Sequence, residues 1–270
     1  MLIKQVLIFD SGVGGLSVFQ DVQQQNPYIN YFYLFDNAYF PYGELEDDFL
    51  ITRITELLLS FLATHRIDLI VIACNSASTL VLQVLREHLS IPVVGVVPAI
   101  KPAAQLSKNG VIGLLATPAT IKRNYTTFLI NKFAANIEVL KIGSTELVKL
   151  AEEKMAGLPF DQKCLQKILA PWLLLQKRPD TLVLGCTHFP LLKNEIANCF
   201  KNKVQLVDSG KAIANRVHQL LGEQRRGEVS NQHRAYYTKP VVTLCETQKS
   251  VALQRCFLTY GFISLDYYRV

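Results

Sequence analysis

The chain has 270 residues, half of them hydrophobic, with 28 Lys and Arg against 22 Asp and Glu. That composition supplies apolar material for one large or two modest cores and excludes a disordered chain. The net charge of +6 suits an anionic small molecule, a nucleic acid or an acidic partner, but a solvated surface explains it as well, and no nucleic-acid partner is expected.

The opening "MLIKQVLIFDSG" meets Asp10 after a brief apolar run, unlike a secretory leader, so the chain reads as cytoplasmic. Strands are expected over "QVLIFD" (Gln5 to Asp10) and "YFYLFD" (Tyr31 to Asp36), with "GLSVFQDVQQQ" a helix between them. Phe49, Leu50, Ile54, Leu57, Leu58, Phe61 and Leu62 recur at helical spacing. A continuous apolar strand "DLIVIA", a helix "ASTLVLQVLREHL" and a strand "IPVVGVV" follow. The longest charge-free run, Leu69 to Leu85, is broken by Asn75, Ser76, Ser78, Thr79 and Gln83, so no membrane span is expected.

The pattern then restarts. "GVIGLLAT", "IEVLKIG", "DTLVLG" and "VQLVDS" are strands. "TIKRNYTTFLINKF", "TELVKLAEEKMAG", "FDQKCLQKILAPWLLLQ", "FPLLKNEIANCF" and "GKAIANRVHQLLGE" are helices. "EQRRGE" (Glu223 to Glu228) reads as a polar loop, "AYYTKPVVTL" as a strand and "ETQKSVALQRCFLTYG" as a helix. Apolar strands alternating with helices imply an α/β fold whose mainly parallel sheets are flanked by helices on both faces. Two echoes, "DLIVIACNS" with "DTLVLGCTH" and "VLIFDSG" with "VQLVDSG", suggest two similar, pseudo-symmetric domains facing one another across a cleft.

In open α/β sheets, ligands bind beyond the carboxyl ends of strands. Asp10, Asp36, Cys74, Thr117, Cys186 and Asp208 all fall at or after such ends, and could converge on one cleft. Cys74 and Cys186 each precede a polar pair and an expected helix, whose N-terminus would lower a thiol pKa. Cys164, Cys199, Cys245 and Cys256 lack this setting and read as packing residues, Cys245 at the end of a strand. Core packing is the bland reading of Cys74 and Cys186 too, but their matched flanks argue against it. Zinc at Cys186 and His188 lacks a second ligand pair, and a single nucleophilic cysteine leaves Cys74 unexplained. Two thiols on opposite walls fit inversion of a stereocentre, one removing a proton while the other delivers one.

"FDSGVGGLSVF" carries Gly12, Gly14 and Gly15, which allow close backbone approach. A dinucleotide fingerprint is its rival reading, with Asp36 at the distance expected of a ribose ligand. Against it, Ser17 occupies the third glycine position and Asp10 would set a charge near the pyrophosphate.

"DSGVGGLSV", "PYG", "ACNSAS", "LGCTHFPLL" and "DSG", in that order from Asp10 to Gly210, resemble the motifs of the glutamate racemase family. The resemblance implies a cofactor-independent, metal-free isomerase that supplies D-glutamate for peptidoglycan. It implies Cys74 and Cys186 as the acid/base pair, assisted by Asp10, His188 and Glu152, with Glu153 the alternative register for the last. It implies substrate binding by Asp10, Ser11, Pro41, Tyr42, Gly43, Asn75, Ser76, Thr117, Thr120, Thr187 and His188. Ser76 and Phe189 stand where the family pattern has Thr and Tyr. The bland alternatives are a turn cap for Asp10, a solvent-facing ring for His188, a surface charge for Glu152 and a turn former for Asp36. The expected domains are 1–97 plus 210–270, and 98–209. Some family members need the activator UDP-N-acetylmuramoyl-L-alanine, and the sequence permits this, a homodimer and a gyrase contact alike. Rival functions are racemisation of another amino acid, such as aspartate, and ligand binding without catalysis.

Overall fold

The computed structural model describes residues 3–222 and 232–269, leaving out the side chains of 244 and 245; the expected loop at Glu223 to Glu228 lies outside the described residues. The first sheet is built on β1 (Gln5–Asp10), flanked by β2 (Asn30–Phe35) and β3 (Leu69–Ile72), with β4 (Val93–Gly95) beyond β3. The second is built on β5 (Val111–Ala116), flanked by β6 (Glu138–Gly143) and β7 (Thr181–Gly185), with β8 (Gln205–Val207) beyond β7. Two C-terminal strands, β9 (His233–Tyr237) and β10 (Phe262–Tyr267), extend the first sheet past β2. Every described strand pair is parallel.

The orders β2-β1-β3-β4 and β6-β5-β7-β8 superpose, so the fold repeats its topology. In that correspondence β3 matches β7, and the first sequence echo marks a real equivalence. The second does not, because "VLIFDSG" lies on β1 and "VQLVDSG" on β8, whose counterpart is β4.

Side-chain alternation explains the layering. Val6 and Ile8 face one core with α1 (Leu16–Gln25) and its residues Phe19 and Val22. Leu7 and Phe9 face another with α2 (Asp47–Thr64) and α3 (Asn75–His88). Because β1 is buried on both faces, its sequence is apolar throughout rather than alternating. Each fully buried Leu, Ile or Phe contributes roughly 1.5–3 kcal/mol. Phe49, at helical spacing with the α2 stripe, instead faces outward, its ring 5.0 Å from Tyr39.

The chain passes to the second sheet through α4 (Ile100–Leu106). The expected helix over Thr120 to Phe133 is two, α5 (Pro118–Lys122) and α6 (Asn124–Phe133), broken by extended backbone at Arg123. Next come α7 (Glu146–Met155), α8 (Gln162–Leu173) and α9 (Lys193–Cys199). With α10 (Gly210–Leu221) the chain returns to pack Ile213, Ala214 and Val217 in the α1 core. The last helix, α11 (Leu244–Thr259), begins where Cys245 had been expected to end a strand, and β10 follows it.

Candidate active site

The repeated topology brings Cys74 and Cys186 to equivalent strand ends, after β3 and β7. They are 7% and 6% exposed. Cys74 does cap α3, but its thiol is not lowered as a helix N-terminus would have it. Burial pushes it far up, and the field of Asp10 adds to this. The Ala77 amide, and the Ser11 hydroxyl 3.8 Å away, pull the other way without prevailing. Desolvation outweighs the helix dipole. Cys186 precedes no α-helix directly; a turn and one 3-10 segment, Phe189–Leu192 with Pro190 in its first turn, come first.

His188 lies beside Cys186. Its Nδ1 lies 3.7 Å from the Cys186 sulfur and its Nε2 lies 2.7 Å from Glu152 Oε1. The ring is 1% exposed, so the solvent-facing reading fails. Burial opposes a charged imidazole, yet the hydrogen bonds to Cys186 and Glu152 overcome it and hold His188 well above its ordinary pKa. Glu152, on α7, also accepts the Val13 amide at 2.7 Å, whereas Glu153 is exposed. The surface-charge reading of Glu152 fails for the same reason.

Asp10 is fully buried. It accepts the Gly12 amide at 3.0 Å and the Thr187 hydroxyl at 3.0 Å, so it caps its own turn and reaches the second sheet. Burial raises its pKa to about 6, opposed by His188, the Gly12 amide and Thr187, with Glu152 adding to the rise.

These contacts explain the glycines. A methyl group at Gly12 would strike Glu152, and one at Gly14 would strike His188 and Thr187. The turn is bare because the second sheet's side chains press against it, which removes the room a pyrophosphate would need. Asp36 is unavailable to a ribose as well: it is fully buried and accepts from Arg53, Tyr42 and Thr238.

A cluster of hydroxyls forms the next wall. Ser76 Oγ lies 3.0 Å from Thr117 Oγ1 and 3.3 Å from Thr120 Oγ1, and Thr117 and Thr120 are 2.9 Å apart. Thr117 caps α5 by accepting the Thr120 amide. Gly43 faces Thr117, where a methyl group would come within 3.2 Å of Thr117 Cβ. Asn75 is buried beside Cys74, its amide 3.5 Å from the Val96 carbonyl. Pro41 follows a cis peptide and begins the Tyr42–Glu44 turn; the Tyr42 ring is buried in the α2 core with its hydroxyl on Asp36, leaving only its backbone for a ligand. Phe189 is fully buried in the core under β7, where a phenol would have no need to be.

Asp208 lines a small cavity together with Asn75, Cys186 and Thr187, while its carboxylate holds Lys193 at 2.6 Å and the Gly210 amide at 2.9 Å. Sequence reasoning missed Ser17, whose hydroxyl lies 2.8 Å from the Thr187 carbonyl and 2.9 Å from that of Gly14. Its place at the absent third glycine was the available signal. Among the described residues, no group of three His, Cys, Asp or Glu side chains is placed to hold a metal ion, and no helix is long and apolar enough to cross a membrane.

A family profile described as Asp/Glu/Hydantoin racemase matches residues 21–217. A glutamate racemase of Aliivibrio fischeri is 52% identical over 264 residues, 97% of each chain. One of Vibrio cholerae is 54% identical over 236 residues, 87% of this chain and 88% of the other. The crystal structure of Escherichia coli glutamate racemase in complex with L-glutamate and the activator UDP-MurNAc-ala is 43% identical, with a TM-score of 0.92 over 100% of this chain and 99% of that one.

Proposed function

The chain belongs to the Asp/Glu/hydantoin racemase family, and from that premise we propose that it interconverts L- and D-glutamate by proton transfer between two thiols, supplying D-glutamate for peptidoglycan. The observation that carries the reading is the placement of Cys74 and Cys186 at topologically equivalent strand ends. Substrate sits between the domains 1–97 plus 210–270 and 98–209, with one sulfur on each face of its α-carbon. One cysteine, as thiolate, takes the α-proton; the other, as thiol, delivers a proton to the opposite face. Turnover thereby exchanges their protonation states, which readies the enzyme for the reverse direction.

The surroundings suit that task unequally. His188, stabilised as a cation by Glu152, supports negative charge on Cys186. Cys74, buried near Asp10, favours its neutral form and is the proton donor of the resting state. The Ser76, Thr117 and Thr120 hydroxyls and the backbone of the Tyr42–Gly43 turn supply donors for carboxylates; Asp10, Ser11, Asn75 and Thr187 complete the cradle around the amine and α-carboxylate. Preorganised donors in a water-poor cleft stabilise the carbanion-like transition state without reorganisation. No cofactor enters this scheme.

The activator bound to the Escherichia coli relative extends the reading to a second ligand, the UDP-linked muramoyl-alanine precursor, and a cytoplasmic location is part of the same proposal. L-glutamate incubated with protein in heavy water, with and without that precursor, tests both. D-glutamate deuterated at Cα is expected from the wild type, with large losses in Cys74→Ser and Cys186→Ser. Full activity in both variants would sink the two-thiol mechanism; conversion of aspartate alone would reassign the substrate.

A further inference from the structure

The carboxylate of Asp36 accepts four side-chain hydrogen bonds, and no part of the chemistry above uses it. It follows β2, fully buried. Arg53, on α2, grips it with two hydrogen bonds of 3.0 and 2.8 Å. The Tyr42 hydroxyl donates to it at 2.9 Å, and the Thr238 hydroxyl at 2.5 Å. Arg53 balances its charge, so the arrangement is a paired and fully bonded buried ion, the only kind that is stable away from water.

What these partners belong to gives the carboxylate its meaning. Tyr42 is the middle of the Pro41–Tyr42–Gly43 turn, and the next residue, Gly43, faces Thr117 of the hydroxyl cluster. Thr238 follows β9, 202 positions from Asp36. The stitching continues through Asn37, whose side-chain oxygen accepts the backbone amides of Thr238 and Lys239 at 3.0 and 2.9 Å. The Ala38 amide in turn donates to Thr238 Oγ1 at 3.2 Å. One buried carboxylate thus ties the C-terminal strands to the turn that closes on the second sheet.

We propose that Asp36 is a positioning residue for substrate binding, holding the Tyr42–Gly43 turn through the Tyr42 hydroxyl and being held in turn by Thr238 of the C-terminal segment. A turn offering backbone N–H groups to a carboxylate works only if those groups are fixed before the ligand arrives. Main-chain donors have no rotamers to search with, so their aim is set by whatever anchors the side chain between them. The inference rests on the reading that this turn contacts glutamate, and it makes residues near the C-terminus part of the binding apparatus.

Asp36→Asn leaves Arg53 buried beside a neutral partner and risks the fold, so the decisive variants are Tyr42→Phe and Thr238→Val. Each removes one hydroxyl at nearly constant shape, with thermal unfolding as the check of integrity. Two readouts are needed. Hydrogen exchange over residues 37–46 reports the turn whatever the substrate proves to be; it should quicken in both variants while β1 and β3 stay as protected as in wild type. Steady-state racemisation should show KM for glutamate raised about three- to tenfold, the range of one lost hydrogen bond, with kcat within twofold. Unchanged exchange in the turn, or wild-type KM in folded variants of an active enzyme, would overturn the proposal. A wild type that never turns over glutamate would sink the functional reading instead, and exchange would still decide whether Asp36 positions the turn.

Discussion

His188 Nε2 and Glu152 Oε1 lie 2.7 Å apart, and the same carboxylate oxygen holds the Val13 amide at 2.7 Å. Glu152 therefore fixes the ring beside Cys186 and, with the same atom, the glycine turn beyond Asp10. Glu152→Gln keeps the shape and removes the charge that stabilises the imidazolium. A hydrogen bond to a charged group is worth roughly 1.5–3 kcal/mol, so kcat/KM should fall about 10- to 100-fold. Glu153→Gln, at an exposed position, should stay within twofold. Equal losses in the two variants would contradict the assignment.

The thiols should differ in reactivity although they are equally buried. Alkylation needs thiolate. Cys186 has His188 at 3.7 Å, whereas burial and Asp10 push Cys74 up. Iodoacetamide at neutral pH, followed by peptide mass spectrometry, should label Cys186 first. His188→Asn should abolish that preference. Preferential labelling of Cys74 would reverse the resting assignment.

Asp10 should cost the protein stability. Its pKa rises to about 6 on burial from an ordinary 3.8, so the folded state binds this proton more tightly than the unfolded chain. The stability it contributes is fully present below about pH 4 and is lost as pH rises to about 6, on the order of 3 kcal/mol in all. Asp10→Asn cannot titrate. Urea midpoints should agree near pH 4, and the variant should become the more stable protein by pH 7, while its racemisation collapses. A constant gap between the two from pH 4 to 7 would be incompatible with a proton held by Asp10.

Much of this was legible in the chain. Strands buried on both faces are continuous apolar runs, so β1, β3, β5 and β7 are visible, and the thiols at two of their tips follow from them. The hidden parts depend on distant partners. Lys101 and Pro102 obscure α4, and β10, with Ile263 and Tyr267 exposed, has the weak pattern of a sheet edge. A helix dipole beside Cys74 can be read from sequence, but the burial that defeats it cannot, because it comes from tertiary packing. The glycine turn likewise looks like a phosphate loop until Glu152, His188 and Thr187 are seen filling its concavity. Asp36 reads as a turn former because its partner Thr238 is 202 positions away.

The glycine turn makes its own prediction. Gly14→Ala would drive a methyl group into His188 Nδ1 and Thr187 Oγ1, both fixed by further hydrogen bonds. Relief requires moving the ring off Cys186 or parting the sheets. Overpacking of this kind costs about 1–3 kcal/mol of stability, but the catalytic loss should exceed 100-fold, since a displacement near 1 Å suffices for that. Calorimetry beside racemisation separates the two effects. Activity within tenfold of wild type would mean that the closed contact is not the catalytic one.

The lips of the cleft carry opposite charges. Asp47, at the start of α2, pairs with Arg123 between α5 and α6, and Glu44 pairs with Lys149 of α7 at 3.2 Å. Both pairs join the first sheet's side to the second's. Buried thiols at 7% and 6% exposure require the lips to part before glutamate can enter. Exposed pairs are worth ~0–1 kcal/mol each, so losing both should raise the open population no more than about thirtyfold and leave the cores intact. Glu44→Gln with Asp47→Asn should therefore speed alkylation of both cysteines severalfold with little change in unfolding temperature. Salt at 1 M, where the screening length is about 3 Å, should do the same to the wild type and nothing further to the double variant. Labelling rates insensitive to both treatments would mean that hydrogen bonds deeper in the cleft, such as Thr187 to Asp10, hold it shut.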